Sequence, residues 1–577
     1  MPVDYDLVVR GGTVVDGSGA PRFVGDVAVK DGWIMAVGKV PGKGAKEIEA
    51  TGKLVTPGFV DIHTHYDGQV VWSDRLAPSS DHGVTTVMTG NCGIGFAPCR
   101  PDDHDALVSL MEGVEDIPEA VAVAGLTWDW ETFPEYLDAV ERRPRDIDVV
   151  ALVPHSPLRA YVMGERGMNR EKATLEDLAH MRRTMREALD AGAIGIGTSR
   201  VFVHRTSKGE FIPSFDAAEE ELLALADTLR EAGRGVFQMV SNAGFQDADQ
   251  EFAMMERVAQ AADRPFTYTQ AQGKGTSAAI LAKLKSANDR GIHIKAQMFP
   301  RPIGLIVGLR TSVHPFSMSP SYAPLKALPL AEKVARMRDP AFRARLIDEM
   351  PGNPNNPVFL LSRNFNQIFS IGGDSINYEP RFEESVAQLA ARAGRRVEEA
   401  VYDMLLDNEG KALLLVAMAN YSDFNLDWAE TALRDPNVVI GLGDGGAHYG
   451  MICDASYPTF ALAHWTRDRA KGRFTVEEMV KILARVPAEI IDLRDRGLIA
   501  TGHRADLNVI DYEHLKLHPP ELVHDLPGGG LRIHQRADGF TATIVNGVVI
   551  AQNGTATDAR PGRLVRGRQM PRAVAAA

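Results

Sequence analysis

Eight short β-rich runs recur along this chain with helical patterns between them, at 55–63, 84–92, 148–154, 194–199, 235–241, 265–270, 292–298 and 438–443. Several intervening stretches, notably 175–191, 217–232, 252–262 and 278–288, repeat apolar residues at helical spacing. That alternation is the mark of βαβ units, whose strands pair in parallel, and eight of them predict an α/β protein built on a closed (β/α)8 barrel. The stretch from 301 to 436, between the seventh and eighth runs, is too long for a loop. Its helical pieces near 330–338, 341–349, 381–391 and 397–406 predict an inserted, mostly helical subdomain over the active-site face. Both chain ends are instead β-rich with Gly and Asp turns, and Asn546-Gly547 between two β-runs reads as a hairpin. Ends of this kind are expected to complete one small β-sandwich. The expected organisation is 1–56 and 499–577 as the sandwich, 57–300 as barrel strands one to seven, 301–436 as the insertion, and 437–498 as strand eight with the closing helices.

A chain of 577 residues exceeds one ordinary core, which fits a large domain with attached parts. Its formal charge of −13 and lack of any lysine or arginine block make nucleic acid and anionic membrane poor partners. Three cysteines, Cys92, Cys99 and Cys453, are too few for a disulfide framework and fit a reducing compartment. With no basic or apolar leader and no long apolar run, a soluble cytoplasmic protein is expected, with homo-oligomerisation left open.

In a barrel of this kind chemistry gathers at the C-terminal ends of the strands. The first run ends in His63-Thr64-His65, and a strand turns residues i and i+2 to one face, so the two imidazoles project together, as one metal ion requires. The second run ends Gly90-Asn91-Cys92-Gly93, a thiol between glycines that let the backbone approach closely. The eighth ends Gly443-Asp444-Gly445-Gly446-Ala447-His448, where a carboxylate closes an apolar strand at the barrel mouth. A buried cysteine elsewhere is a small hydrophobe and an aspartate a turn residue, but at these strand ends a thiolate ligand and a metal-binding or proton-accepting carboxylate are expected.

These segments resemble the amidohydrolase superfamily. They include Thr56-Pro57-Gly58-Phe59-Val60-Asp61-Ile62-His63-Thr64-His65-Tyr66-Asp67, the Asn91-Cys92-Gly93 turn and the glycine-bracketed Asp444. The opening Asp6-Leu7-Val8-Val9-Arg10-Gly11-Gly12-Thr13 and the returning Ala505-Asp506-Leu507 and Val545-Asn546-Gly547 are similar to its D-aminoacylase branch, which cleaves N-acyl-D-amino acids. The resemblance implies that His63, His65 and Cys92 hold zinc, and that Asp444 touches metal while accepting a proton from the attacking water. In the branch, strands five and six each end in a zinc-binding histidine, whereas Gln238 and Gln270 stand there in this chain. An amide oxygen is a weak zinc ligand, which favours one Zn²⁺ per subunit over two.

The expected activity is hydrolysis of N-acyl amino acids, D-type favoured, or of related small amides by metal-activated water. A cyclic amide or ester substrate and a catalytically silent scaffold remain as alternatives. Gln238 and Gln270 would orient substrate or water, His155 would line the pocket, and Arg159, Arg200 and Arg301 would clamp a substrate carboxylate.

Overall fold

In the computed structural model, which describes residues 4–242, 247–272, 277–354, 356–372 and 376–573, the eight runs form eight parallel strands. They are β1 (Phe59–Asp61), β2 (Val84–Thr89), β3 (Asp148–Ala151, continued by Val153–Pro154) and β4 (Gly195–Ser199). After these come β5 (Val236–Val240), β6 (Phe266–Thr269), β7 (Ile294–Met298) and β8 (Val438–Ile440). Each pairs in parallel with the next, from β1 with β2 to β7 with β8. The ring closes just past β8 and β1, where the Asp444 N–H donates to the His63 carbonyl at 3.0 Å and the His65 N–H to the Gly445 carbonyl at 2.8 Å. The expected (β/α)8 barrel is present.

Local chemistry explains the outer helices. The helix Leu175–Ala191 starts at a reciprocal cap between Thr174 and Asp177, stops at Gly192 in the left-handed region, and buries Met181, Met185, Ala188 and Leu189. On β1 the alternation of faces sets up the site. Val60 and Ile62 pack with Val439, Ala488 and Ile491, which leaves Asp61, His63 and His65 for the barrel interior.

The first run departs from the expected 55–63. Leu54–Pro57 belongs to the terminal sheet and pairs antiparallel with Leu507–Ile510, so the barrel strand begins only at Phe59. Gly58 makes the crossing, where a Cβ would lie 2.2 Å from Thr85 Oγ1. The two chain ends share one sheet in which Tyr5–Val14 pairs with Phe23–Lys30, Gly44–Glu49 and Leu54–Pro57. Leu7, Val9, Val27, Ile34, Leu507, Val509 and Ile544 form its core. Its hairpin turns at Asn546 and Gly547, both at positive φ, as a two-residue turn of this type demands.

The insertion contains the helices Leu330–Met337, Pro340–Asp348, Val386–Arg392 and Val397–Gly410. It also holds an antiparallel sheet of Ile303–Val307, Ile368–Ser370 and Leu414–Ala419 that the helical expectation did not contain. Apolar runs of that length carry no period that separates a buried strand from a piece of helix. A second excursion, between β2 and β3, carries the helix His104–Glu115 back over the barrel mouth. Among the described residues no helix is long and apolar enough to cross a membrane.

Candidate metal centre

His63 and His65 present their rings into the barrel with centroids 5.5 Å apart and planes at 69°. Cys92 Sγ lies 3.4 Å from His63 Nε2 and 3.8 Å from His65 Nε2. From the other side Asp444 Oδ1 lies 3.6 Å and 3.7 Å from the same two nitrogens. A tetrahedral ion bonded at about 2.0 to 2.3 Å to nitrogen, oxygen and sulfur donors sets donor-to-donor edges of about 3.3 to 3.7 Å. The observed spacings match these edges closely, and three of the ligand atoms, from His63, His65 and Cys92, lie within 4.8 Å of one another. Asp444 Oδ1 is buried with no hydrogen-bond partner, an orphan that a cation would satisfy.

Backbone geometry aims each donor. Cys92 sits at φ +57° in a turn whose Gly90, at φ +81°, passes so near the Leu152 carbonyl that a Cβ would come within 2.2 Å. Asn91 Nδ2 donates to the carbonyls of Thr64 and Met88, fastening that turn to the end of β1. After β8, positive φ recurs at Leu442, Asp444, Gly446 and His448, a concentration of left-handed backbone that turns both Asp444 and His448 inward.

Each imidazole is also met from behind. His63 Nδ1 donates to Gln297 Oε1 at 2.7 Å, and Gln297 Nε2 donates to Thr267 Oγ1 at 3.0 Å. His65 Nδ1 faces Glu115 Oε1 at 3.5 Å, and Glu115 Oε2 faces His448 Nε2 at 3.4 Å. Without a cation, burial drives these groups toward neutrality. The His63 pKa falls to about 4 through burial, against which the Gln297 bond works, and burial, with the neighbouring histidines, lowers His65 well below its ordinary value. Burial, with the carboxylates of Glu115, Asp444 and Asp67, pushes the Cys92 thiol up. Burial and then the Asp454 and Asp61 carboxylates raise Asp444, while burial and the Asp444 and Asp67 carboxylates raise Glu115. Neutral imidazoles are the ligating form, and a divalent cation would reverse the bias on the thiol and carboxyl groups.

The cluster floors a cavity of about 370 Å³. Val201, Val240, Ile303 and Leu442 give it apolar walls, and Ser241, Gln270, Gln272, His204, His448 and Asp454 supply polar groups. That is the small end of ligand-pocket sizes.

A family model described as Amidohydrolase family matches residues 46–551. The chain belongs to the amidohydrolase family. An uncharacterized protein of Mycobacterium tuberculosis is 27% identical over 96% of this chain and 92% of its own. A D-aminoacylase of Alcaligenes xylosoxydans xylosoxydans is 34% identical over 40% of this chain and 43% of its own. A solved D-aminoacylase structure, whose binuclear centre is described as activated by one metal and attenuated by a second, shares the fold. It matches with a TM-score of 0.66 and 24% identity over 97% of this chain and 100% of its own.

In this amidohydrolase the expected residues fall into two groups. His63, His65, Cys92 and Asp444 converge, and Gln270 lines the cavity with its Nε2 donating to the Ala271 carbonyl at 2.6 Å. Gln238 instead accepts the Cys92 N–H at 3.2 Å through Oε1, so it braces the thiol turn rather than facing substrate. The structure corrects the reading of the remaining four. His155 is fully buried away from the cavity between Thr198 Oγ1 at 2.8 Å and Glu221 Oε1 at 2.7 Å. The other oxygen of Glu221 takes Arg159. Arg200 is paired with Glu251 at 3.1 Å, and Arg301 is held by Asp454 at 3.0 Å, Ser456 and the Cys453 carbonyl over the Tyr378 ring. Each of these guanidiniums is already neutralised by a carboxylate of the fold, which removes the drive to clamp an anion.

Sequence reasoning missed three groups at the cavity. His204, which no sequence motif singles out, lines the wall with Nδ1 bound to Ser199 Oγ at 2.9 Å. His448 stood in the quoted glycine motif without a role. Glu115 gives no local signal, because it is the last residue of a surface-type helix.

Proposed function

We propose that this chain is a metal-dependent hydrolase that cleaves the amide bond of N-acyl amino acids, D-type favoured, at a site for one zinc ion. The observation that carries this reading is the convergence of His63, His65 and Cys92 with the Asp444 carboxylate, whose Oδ1 is unpartnered, on the floor of the cavity. The thiolate and imidazole donors suit zinc. An ion held there would polarise the substrate carbonyl and make the attacking water more acidic. Water oxygen adds to the carbonyl carbon, Asp444 takes the water proton at Oδ and passes it to the amide nitrogen, and the C–N bond breaks to give a carboxylic acid and an amine. The apolar wall of Val201, Val240, Ile303 and Leu442 suits an acyl chain, while Gln270 and Ser241 offer hydrogen bonds to the amino-acid part. The glutamines at 238 and 270 favour one ion, and the D-aminoacylase described as activated by one metal supports activity at that stoichiometry.

Elemental analysis of the purified protein, paired with hydrolysis of N-acetyl-D- and N-acetyl-L-amino acids before and after chelation, tests the reading. About one zinc per chain and chelator-sensitive release of free amino acid are expected. Protein that neither takes up zinc nor hydrolyses any N-acyl amino acid would overturn it in favour of a scaffold.

A further inference from the structure

The two histidines of the centre meet unlike groups on the side away from Cys92 and Asp444. His63 Nδ1 has a full hydrogen bond of 2.7 Å to Gln297 Oε1, and Gln297 is itself fixed, because its Nε2 is spent on Thr267 Oγ1. Thr267 and Gln297 lie on neighbouring strands β6 and β7, so a rigid ladder sets the amide. His65 Nδ1 has no hydrogen bond, and the nearest acceptor is Glu115 Oε1 at 3.5 Å. Glu115 is 2% exposed and has no guanidinium or ammonium partner among its described contacts, where its two oxygens face only His65 and His448. Its backbone is anchored too, since the His448 N–H donates to the Glu115 carbonyl. A carboxylate buried in such a place costs several kcal/mol unless donors face it, and the imidazole N–H groups of His65 and His448 are the donors within reach.

We propose that Gln297 and Glu115 are the positioning residues of the metal centre: each draws the proton of one imidazole to Nδ1 and so turns the Nε2 lone pair toward the ion. Glu115 adds a second task. Its other oxygen holds His448, so one carboxylate ties a metal-binding imidazole to an imidazole of the cavity wall. An acceptor behind a ligating histidine fixes its tautomer and raises its basicity, and the loss of such an acceptor typically costs 10- to 100-fold in metal affinity. The inference rests on the single-ion reading above.

Zinc dissociation constants, measured by competition with a chromophoric chelator, test it in three variants together with the visible spectrum of the cobalt-substituted protein. Glu115→Leu and Gln297→Leu each remove the acceptor outright. Both are expected to weaken zinc binding about 10- to 100-fold and to shift the cobalt bands, with melting of the metal-free protein measured alongside. Gln297→Glu supplies a stronger acceptor to His63 while Thr267 turns its hydroxyl to donate, so zinc affinity is expected to hold or rise. A packing role alone would give a loss in all three. Wild-type affinity and spectra in Glu115→Leu and Gln297→Leu would overturn the proposal, and so would a loss in Gln297→Glu equal to that in Gln297→Leu. Absence of zinc from the wild-type protein would instead refute the single-ion reading itself.

Discussion

The main-chain N–H of Asp444 donates to the carbonyl of His63 at 3.0 Å, so one of the bonds that close the barrel also sets the distance between a candidate histidine ligand and the carboxylate beside it. Fold and site are one construction at this point. A disturbance of the turn after β8 therefore reaches the candidate metal centre directly through the main-chain hydrogen bonds of Asp444 and Gly445.

The first prediction separates holding the ion from moving the proton. Cys92→Ala removes a donor and is expected to lose bound metal and activity together. Asp444→Asn keeps an oxygen near the imidazoles but loses the proton acceptor, and is expected to retain metal while hydrolysis slows by about 10²- to 10⁴-fold. Metal analysis and turnover on the same preparations check both, and equal metal loss in the two variants would contradict the division of roles.

Gly443 is the tightest point of the turn. A Cβ there would lie 2.0 Å from Asp61 Oδ2 and 2.8 Å from the Tyr457 ring. Gly443→Ala is expected to cost about 1 to 3 kcal/mol and to weaken metal binding, because the clash with Asp61 and Tyr457 displaces the turn that carries Asp444. Urea unfolding and zinc titration read the two effects.

A structural prediction concerns Arg496, whose side chain is 1% exposed. It donates to Asp148 at 2.8 Å, Asp495 at 3.0 Å and Thr86 Oγ1 at 2.8 Å, joining β2 and β3 to the returning chain. Arg496→Met fills the volume but leaves buried carboxylates without a cation, with an expected cost of about 3 to 5 kcal/mol. The shift of the urea midpoint measures it, and a loss under about 1 kcal/mol would contradict the account.

Acid stability turns on Glu379. Burial opposes its ionisation, yet hydrogen bonds from His464, Arg469 and the Leu426 amide outweigh that and hold its pKa down to about 2. A carboxyl depressed in the fold contributes stability that is complete above its unfolded value near 4.5 and is lost as pH falls toward about 2. The contribution is at most about 3 kcal/mol. Glu379→Gln should unfold more easily than wild type at pH 7, and the gap should narrow as pH falls from about 4.5 toward 2. A gap independent of pH would refute the assignment.

The barrel and the candidate ligand cluster were legible in local patterns. Alternating β-runs and helices, the His63-Thr64-His65 pair, the Gly90-Asn91-Cys92-Gly93 turn and the glycines around Asp444 are all local patterns, and strand periodicity and turn chemistry act over a few residues. Which carboxylate each arginine meets followed instead from the packing of elements far apart in the chain. Arg159 finds Glu221 62 residues away, Arg200 finds Glu251 51 away, and Arg301 finds Asp454 153 away, so all three leave the substrate role that their strand-end positions suggested. The same holds for Glu115, brought behind His65 by the end of a helix that belongs to another excursion of the chain. Neutralisation of a buried charge depends on distance in space, and that distance exists only once the elements have packed.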